Sequence, residues 1–331
     1  MSAGVVRARA PGKIVLWGEY AVLAGAPALV MAVDRYATCT LEPGSGNAWS
    51  LTAAGHPAAA GTVSRARLTG DAAAPAEGAI DAILHHVLRA VPAESLPAGG
   101  RAHFDTAGFH HAGHKLGLGS SAALTVAVYG AVCRLLGLEA GEETAHAIHR
   151  AFQGGSGSGI DVAAAWHGGT LRCRRADAGG SPEATPWPLP SELAIHTVWT
   201  GSAASTGAHL GRLQCWLNRG GGRELDELTE SARGVFQAAD LLEALASYVD
   251  RLDALDRAAE LGIFSPPHRH LQRLAIDAGV VYKPCGAGGG DIGAAFAADA
   301  TAIEQFVDLA RRAGFLPLAL ETASHGLEVT G

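Results

Sequence analysis

Lysine is nearly missing from this chain. Of 25 basic residues only Lys13, Lys115 and Lys283 are lysine, and the remaining 22 are arginine. Arginine is therefore the residue used wherever positive charge alone will do. Cysteine is sparse too: Cys39, Cys133, Cys173, Cys215 and Cys285 are odd in number, widely spaced and contain no Cys-x-x-Cys pair. This argues against a disulfide framework or a cysteine zinc site and predicts reduced thiols in a cytoplasmic protein. No apolar run is long enough to span a bilayer. The best candidate, Ala122 to Leu136, is short and broken by Thr125, Gly130 and Arg134, so it reads as a core helix. No apolar signal region accompanies Arg7 and Arg9, so no export is expected. Charged residues make up 17% against 48% hydrophobic, which excludes disorder, and 331 residues can bury a large core in two domains. A formal charge of −7 argues against nucleic acid as a partner but leaves room for a local anion site.

Glycine, by contrast, is abundant at 44 residues, and each lysine lies in or beside a glycine turn: Pro11-Gly12-Lys13, Lys115-Leu-Gly-Leu-Gly119, and Lys283-Pro-Cys-Gly-Ala-Gly-Gly-Gly290. A compact ammonium on a flexible stem differs from a guanidinium fork, and this placement suggests shared work on phosphate. The central loop runs Lys115-Leu116-Gly117-Leu118-Gly119-Ser120-Ser121 into an apolar helix. Glycines bring backbone close to a ligand, Ser120 and Ser121 sit where helix caps sit, and a helix N-terminus presents free N–H groups to an anion. No Gly-Lys-Ser/Thr follows, so this is not a Walker loop. The alternative is a tight turn ahead of a core helix.

Strands are expected over Val5–Ala10, then from Ala10 through a Pro-Gly turn to Leu23, over Pro27–Cys39, and in a meander of Trp49–Leu51 with Arg65–Leu68. Helical spacing marks Gly78–Val91, Glu142–Gln153, parts of Gly207–Leu261, and Pro267–Ala278. Thr301 with Glu304 reads as a capping box for a helix to Ala313, and Leu316–Thr322 as a last strand. Four prolines within Gly179–Pro190 suggest a seam, dividing residues 1–185 from 186–331. Alternating helices and short strands make the class α+β. Gly288 to Gly293 match Gly-x-Gly-x-x-Gly, yet a strand follows where a dinucleotide fold needs a helix. His110, His111 and His114 could bind metal, but without a partner carboxylate or cysteine a polar loop is expected. Trp17, Trp166 and Trp199 read as core, and Glu224 to Glu230 as a solvated face.

Taken together, these stretches resemble the GHMP kinases, with all three family motifs in order over nearly the whole chain. Within the family the chain looks most like the phosphomevalonate kinases. The likeness lies in Gly18-Glu19-Tyr20, His149 to Gly154 leading to Gly157-Ser158-Gly159-Ile160-Asp161, Trp199 to Ser202 with Ser205-Thr206, and Gly286 to Asp291. One departure concerns the glutamate that mevalonate kinases carry eleven positions before the catalytic aspartate; Arg150 stands there. The resemblance implies an N-terminal domain similar to domain 2 of ribosomal protein S5, a ferredoxin-like C-terminal domain, and ATP with Mg2+ between them. It implies Lys13 and Asp161 as catalytic residues. Lys115, Gly117, Leu118, Gly119, Ser120, Ser121 and Ala122 would bind nucleotide phosphates, with Ser121 also a magnesium ligand. Glu19, Tyr20, Ser158, Ser205, Thr206, Lys283, Gly288, Gly289 and Asp291 would line the acceptor site. The expected reaction is ATP-dependent phosphorylation of 5-phosphomevalonate. The alternatives are a mevalonate kinase on the same fold, or a non-catalytic ligand sensor built on it. The partners expected are a small-molecule substrate and neither nucleic acid nor membrane, in a monomer or homodimer.

Overall fold

The computed structural model describes residues 4–55, 61–64, 78–155, 157–176, 180–202 and 206–331. Arg65–Leu68, expected as strand, and Ser205 lie outside these residues.

The N-terminal half is built on a sheet of β1 (Val6–Trp17), β2 (Pro27–Gly44), β3 (Ala48–Ala54), β4 (Gly61–Ser64) and β5 (Gly99–Asp105). A short hairpin of β6 (His110–His111) and β7 (His114–Lys115) stands apart from it. The sheet is completed by β8 (Thr170–Arg174), β9 (Glu183–Pro186) and the chain's last strand. β1 is one continuous strand, not the two expected. The register shifts between Pro11 and Gly12, where a turn was read: Pro11 pairs with Tyr36 and Gly12 with Val33, so Asp34 and Arg35 of β2 bulge out without ending the ladder.

Lys13 takes its direction from that bulge. Beyond it β1 is buried on both faces: Ile14 and Leu16 enter the main core, while Val15 faces Ile160, Ala163 and Ala164 on the other side. Strand side chains alternate, so Lys13 shares a face with Val15 and points toward the Ile160–His167 helix. The Ser120–Leu136 helix covers the opposite face, buried continuously from Ala122 to Cys133. A helix apolar all round belongs in a core. Among the described residues no helix is long and apolar enough to cross a membrane. The Ala79–Arg89 helix buries Ile80, Ile83, Leu84, Val87 and Leu88, the stripe read from spacing.

The C-terminal half carries a second antiparallel sheet. It comprises β10 (Ala194–Trp199), β11 (Val281–Pro284), β12 (Ile292–Ala297) and β13 (Leu316–Leu318), in spatial order β11-β12-β10-β13. The Pro266–Ala278 and Ala300–Arg312 helices join its strands and bury Leu271, Ala275, Phe306 and Ala310. This is the ferredoxin-like arrangement, with the Thr206–Asn218, Arg223–Val235 and Leu241–Ala259 helices inserted after β10. One core runs through both halves, from Leu29 and Trp17 to Tyr248, Phe264 and Phe296. The class is α+β.

Three details correct the sequence reading. Within the expected seam, Glu183–Pro186 is β9, paired with β8, and Trp187 packs edge-on against Trp17 at 5.4 Å. Edge strands tolerate proline because one side of their backbone needs no partner. The Ala300–Arg312 helix is capped by Asp299, whose side chain accepts from Thr301 N, and not by Thr301. The strand read to Thr322 ends at Leu318, and β14 (Glu328–Thr330) closes the first sheet beside β1.

Candidate active site

A cleft of about 510 Å3 opens among the 117–121 loop, the start of the Ile160–His167 helix and the 286–291 turn. Its floor is β1 just past the bulge, at Lys13 and Val15. A Cβ on Gly12 would sit 2.6 Å from the Phe109 ring and 2.7 Å from Leu118 O, so only glycine lets the strand approach the loop this closely. Lys13 N then donates to Leu118 O at 2.8 Å, and the Lys13 stem lies 3.1 Å from where a Cβ on Gly119 would be. Gly117, at φ 76°, faces Asp291: a Cβ there would fall 2.5 Å from that of Asp291. The loop glycines are thus required by Lys13 on one side and Asp291 on the other.

Gly119, not Ser120 or Ser121, is the N-cap of the long helix, and no side chain caps it. The serines occupy the first two helical positions. Gly159 plays the same part for the Ile160–His167 helix, again without a side-chain cap. Ser120, Ser121, Ile160 and Asp161 all line the cleft. Two helix N-termini, each the positive end of its dipole, therefore open on one hollow, an arrangement suited to a polyanion. Lys13 and Lys115 add ammonium groups to the same walls. Lys13 forms no ion pair with a carboxylate among the described residues.

The third lysine is used differently. Lys283 is fully buried, and its ammonium pairs with Glu19, whose side chain is 2% exposed. The other Glu19 oxygen accepts from Tyr248 OH at 2.9 Å, and Gly286 N approaches Glu19 Oε1 at 3.3 Å. Burial pushes the Tyr248 hydroxyl well above its ordinary range, so it stays a donor. Tyr20, at φ 59°, donates to Ala287 O at 2.6 Å. Glu19 and Tyr20 thus tie the first strand's exit to the 286–291 turn, and Lys283 acts from beneath the cleft.

Of the remaining expected residues, Ser158 and Asp291 line the cleft and Leu118 contributes its carbonyl to Lys13. Ala122 is buried behind the loop. Gly288 and Gly289 stand off the cleft wall, packed against Ile263 and His209. Thr206 begins its helix, and Gly207 and Leu210 from that helix reach the cleft. Arg150 donates to Gly155 O at 3.1 Å and braces the turn ahead of Asp161. His110 lies 3.0 Å from Thr106 O, and His111 and His114 rest against Trp199 at 6.0 and 6.1 Å. Among the described residues no group of three His, Cys, Asp or Glu side chains is gathered to hold a metal.

Sequence reasoning missed three residues. Tyr248 left no signal, since a tyrosine in an amphipathic helix reads as core. His149 stood in a quoted motif but received no role. His268 links Tyr282 OH (2.8 Å) to Gly290 O (3.0 Å) and so holds the glycine turn. Burial lowers the His268 imidazole to about 4. Unfolding lets it take up a proton near pH 6.5, so between about 6.5 and 4 the unfolded chain binds more protons and stability falls with falling pH. Thermal melts over that range should show a decline to which His268 contributes up to ~3 kcal/mol, and the decline should be shallower in His268→Gln.

The likeness to known proteins extends over nearly the whole chain. The model of the GHMP kinases N terminal domain matches residues 93–169, which hold the central loop and Asp161. A phosphomevalonate kinase of Streptomyces sp. (strain CL190) is 31% identical, covering 96% of this chain and 97% of its own. A mevalonate kinase of Pyrococcus horikoshii is 27% identical over 98% of this chain and 97% of its own. Streptococcus pneumoniae phosphomevalonate kinase, solved with phosphomevalonate and AMPPNP, superposes with a TM-score of 0.74 at 19% identity, covering 96% of this chain and 99% of that one. By this full-length likeness the chain belongs to the GHMP kinases, as an ATP-dependent small-molecule kinase of the mevalonate-pathway branch.

Proposed function

We propose that this kinase transfers the γ-phosphoryl group of ATP to the phosphate of 5-phosphomevalonate, giving the 5-diphosphate and ADP. The observation that carries the reading is the Lys13 ammonium, set in the cleft beside two uncapped helix N-termini and paired with no carboxylate among the described residues. The full-length likeness to a phosphomevalonate kinase supports it. A phosphate monoester is already largely ionised near pH 7, its second pKa being about 6. Its oxygen needs no base to attack the γ-phosphorus; what the reaction needs is relief from bringing two anions together. An alcohol acceptor would instead demand a base.

In this reading residues 117–121 wrap the triphosphate with backbone N–H groups, and Lys115 meets it at the rim. Lys13 screens the acceptor oxygen and the transferring group. The bond between the γ-phosphorus and its bridging oxygen breaks as the new P–O bond forms, and the electrons leave with ADP. Ser158, Glu19, Tyr20, Asp291, Ser205 and Thr206 would surround the acceptor, with Gly288, Gly289 and Lys283 shaping that wall from behind. Magnesium fits the donor set, since a Ser121 hydroxyl and an Asp161 carboxylate are hard oxygen ligands facing the same cleft. When bound with the nucleotide it would neutralise charge on the β- and γ-phosphates. Asp161 then orients the metal or Lys13 and is not itself a base. We place the two halves at residues 1–185 and 186–331, a division that falls at the end of β9 and across which β14 returns to the first sheet.

Offered ATP with either acceptor, the purified protein should release ADP with 5-phosphomevalonate and at most about a hundredth as fast with mevalonate, since the site's polar groups would be left unmatched. Faster turnover of mevalonate would replace this reading with that of a mevalonate kinase. Nucleotide binding without turnover of any acceptor would favour a sensor.

A further inference from the structure

One buried side chain touches both helix N-termini of the cleft without lining it. His149, on the Glu142–Phe152 helix, is 1% exposed. Its Nε2 lies 3.2 Å from Ser121 Oγ, and its Nδ1 lies 4.0 Å from Asp161 Oδ1. Phe152 stacks on the ring at 6.0 Å and 28°, which fixes the imidazole plane. Asp161 Oδ1 is itself held by Val162 N at 3.0 Å. Of the two neutral tautomers, a carboxylate facing Nδ1 favours the one that carries its hydrogen there, leaving the Nε2 lone pair for Ser121.

This decides the polarity of Ser121. A hydroxyl in an anion site can donate its proton to a phosphate oxygen, or turn its lone pairs outward to a cation. We propose that His149 is a positioning residue: by accepting the Ser121 hydroxyl proton it turns the Oγ lone pairs into the cleft, so that Ser121 binds the nucleotide's divalent cation and does not donate to a phosphate. The inference rests on the reading of Ser121 as a magnesium ligand, but not on which acceptor is used. The imidazole orients an oxygen ligand and does not add a carboxylate.

The test measures Mn2+ binding by electron paramagnetic resonance in the presence of a non-hydrolysable ATP analogue, with no acceptor present. It is paired with the Mg2+ concentration giving half-maximal rate. His149→Asn keeps a donor near Nδ1 but cannot reach Ser121, and should weaken Mn2+ binding about tenfold or more, the usual effect of removing the group that orients a metal ligand. His149→Gln places an amide oxygen near the Nε2 position and should restore binding to within about threefold of the parent. In a Ser121→Ala background His149→Asn should change Mn2+ binding no further. Unchanged binding in His149→Asn, or a loss that persists without the serine hydroxyl, would overturn the proposal. Should His149→Asn fail to fold, His149→Gln alone decides, and a tenfold loss there sinks the idea. Failure of the acceptor reading would show separately, as mevalonate turnover by the parent enzyme with these metal effects intact.

Discussion

Lys13→Met is expected to lower kcat about 10³-fold while leaving the melting temperature within a few degrees of the parent. The substitution keeps the stem that packs over Gly119 and the backbone N–H that bonds Leu118 O, so it removes the charge and little else. Loss of a single preorganised donor at developing charge costs about 10² to 10³ in rate, and a full cation between two anions belongs at the upper end. Asp161→Asn should cost less, about 10- to 100-fold, because an acceptor that is already ionised has no proton to give up. Steady-state kinetics with ATP and 5-phosphomevalonate, at saturating Mg2+, would compare the two. Near-total loss in both would favour an alcohol acceptor and a carboxylate base, and would displace the cation-screening mechanism.

The second large effect is on the fold. Lys283→Met should destabilise the protein by about 3–5 kcal/mol, because it leaves the buried Glu19 carboxylate without its ionic partner. Attraction between the two charges offsets their desolvation only while both are present. The double substitution Lys283→Met with Glu19→Gln should therefore regain part of the loss, since a neutral amide can still accept from Tyr248. Chemical denaturation of the single and double variants measures this, and a double variant less stable than Lys283→Met alone would show that Glu19 does not need its partner. Activity should fall in parallel through the acceptor KM. Glu19 approaches Gly286 N, and Tyr20 beside it bonds Ala287 O, so loosening this knot moves the turn carrying Asp291.

Both predictions concern residues that the sequence singled out by rarity, yet their fates are opposite. Lys13 and Lys283 look alike on paper, each beside a glycine turn. One stands in the cleft and the other beneath it, because a glutamate 264 positions away in the chain reaches the second and not the first. The same holds for the histidines. His110, His111 and His114 draw the eye as a cluster, but they form a small hairpin against Trp199. The two that hold the site, His149 and His268, stand within helices, and nothing in the sequence assigned either of them that role.

Local chemistry alone was enough to determine the glycine turns, the buried helix behind the first of them and the alternation of elements that makes the class α+β, whereas Asp161 was singled out only by the family resemblance. These depend on backbone freedom, on periodicity and on helix ends, all of which act over a few residues. Only the tertiary structure decided which ammonium faces the cleft, which serine leans on which imidazole, and that the proline-rich stretch is an edge strand. Burial and pairing depend on groups far apart in the chain, and no local pattern records which of them will meet.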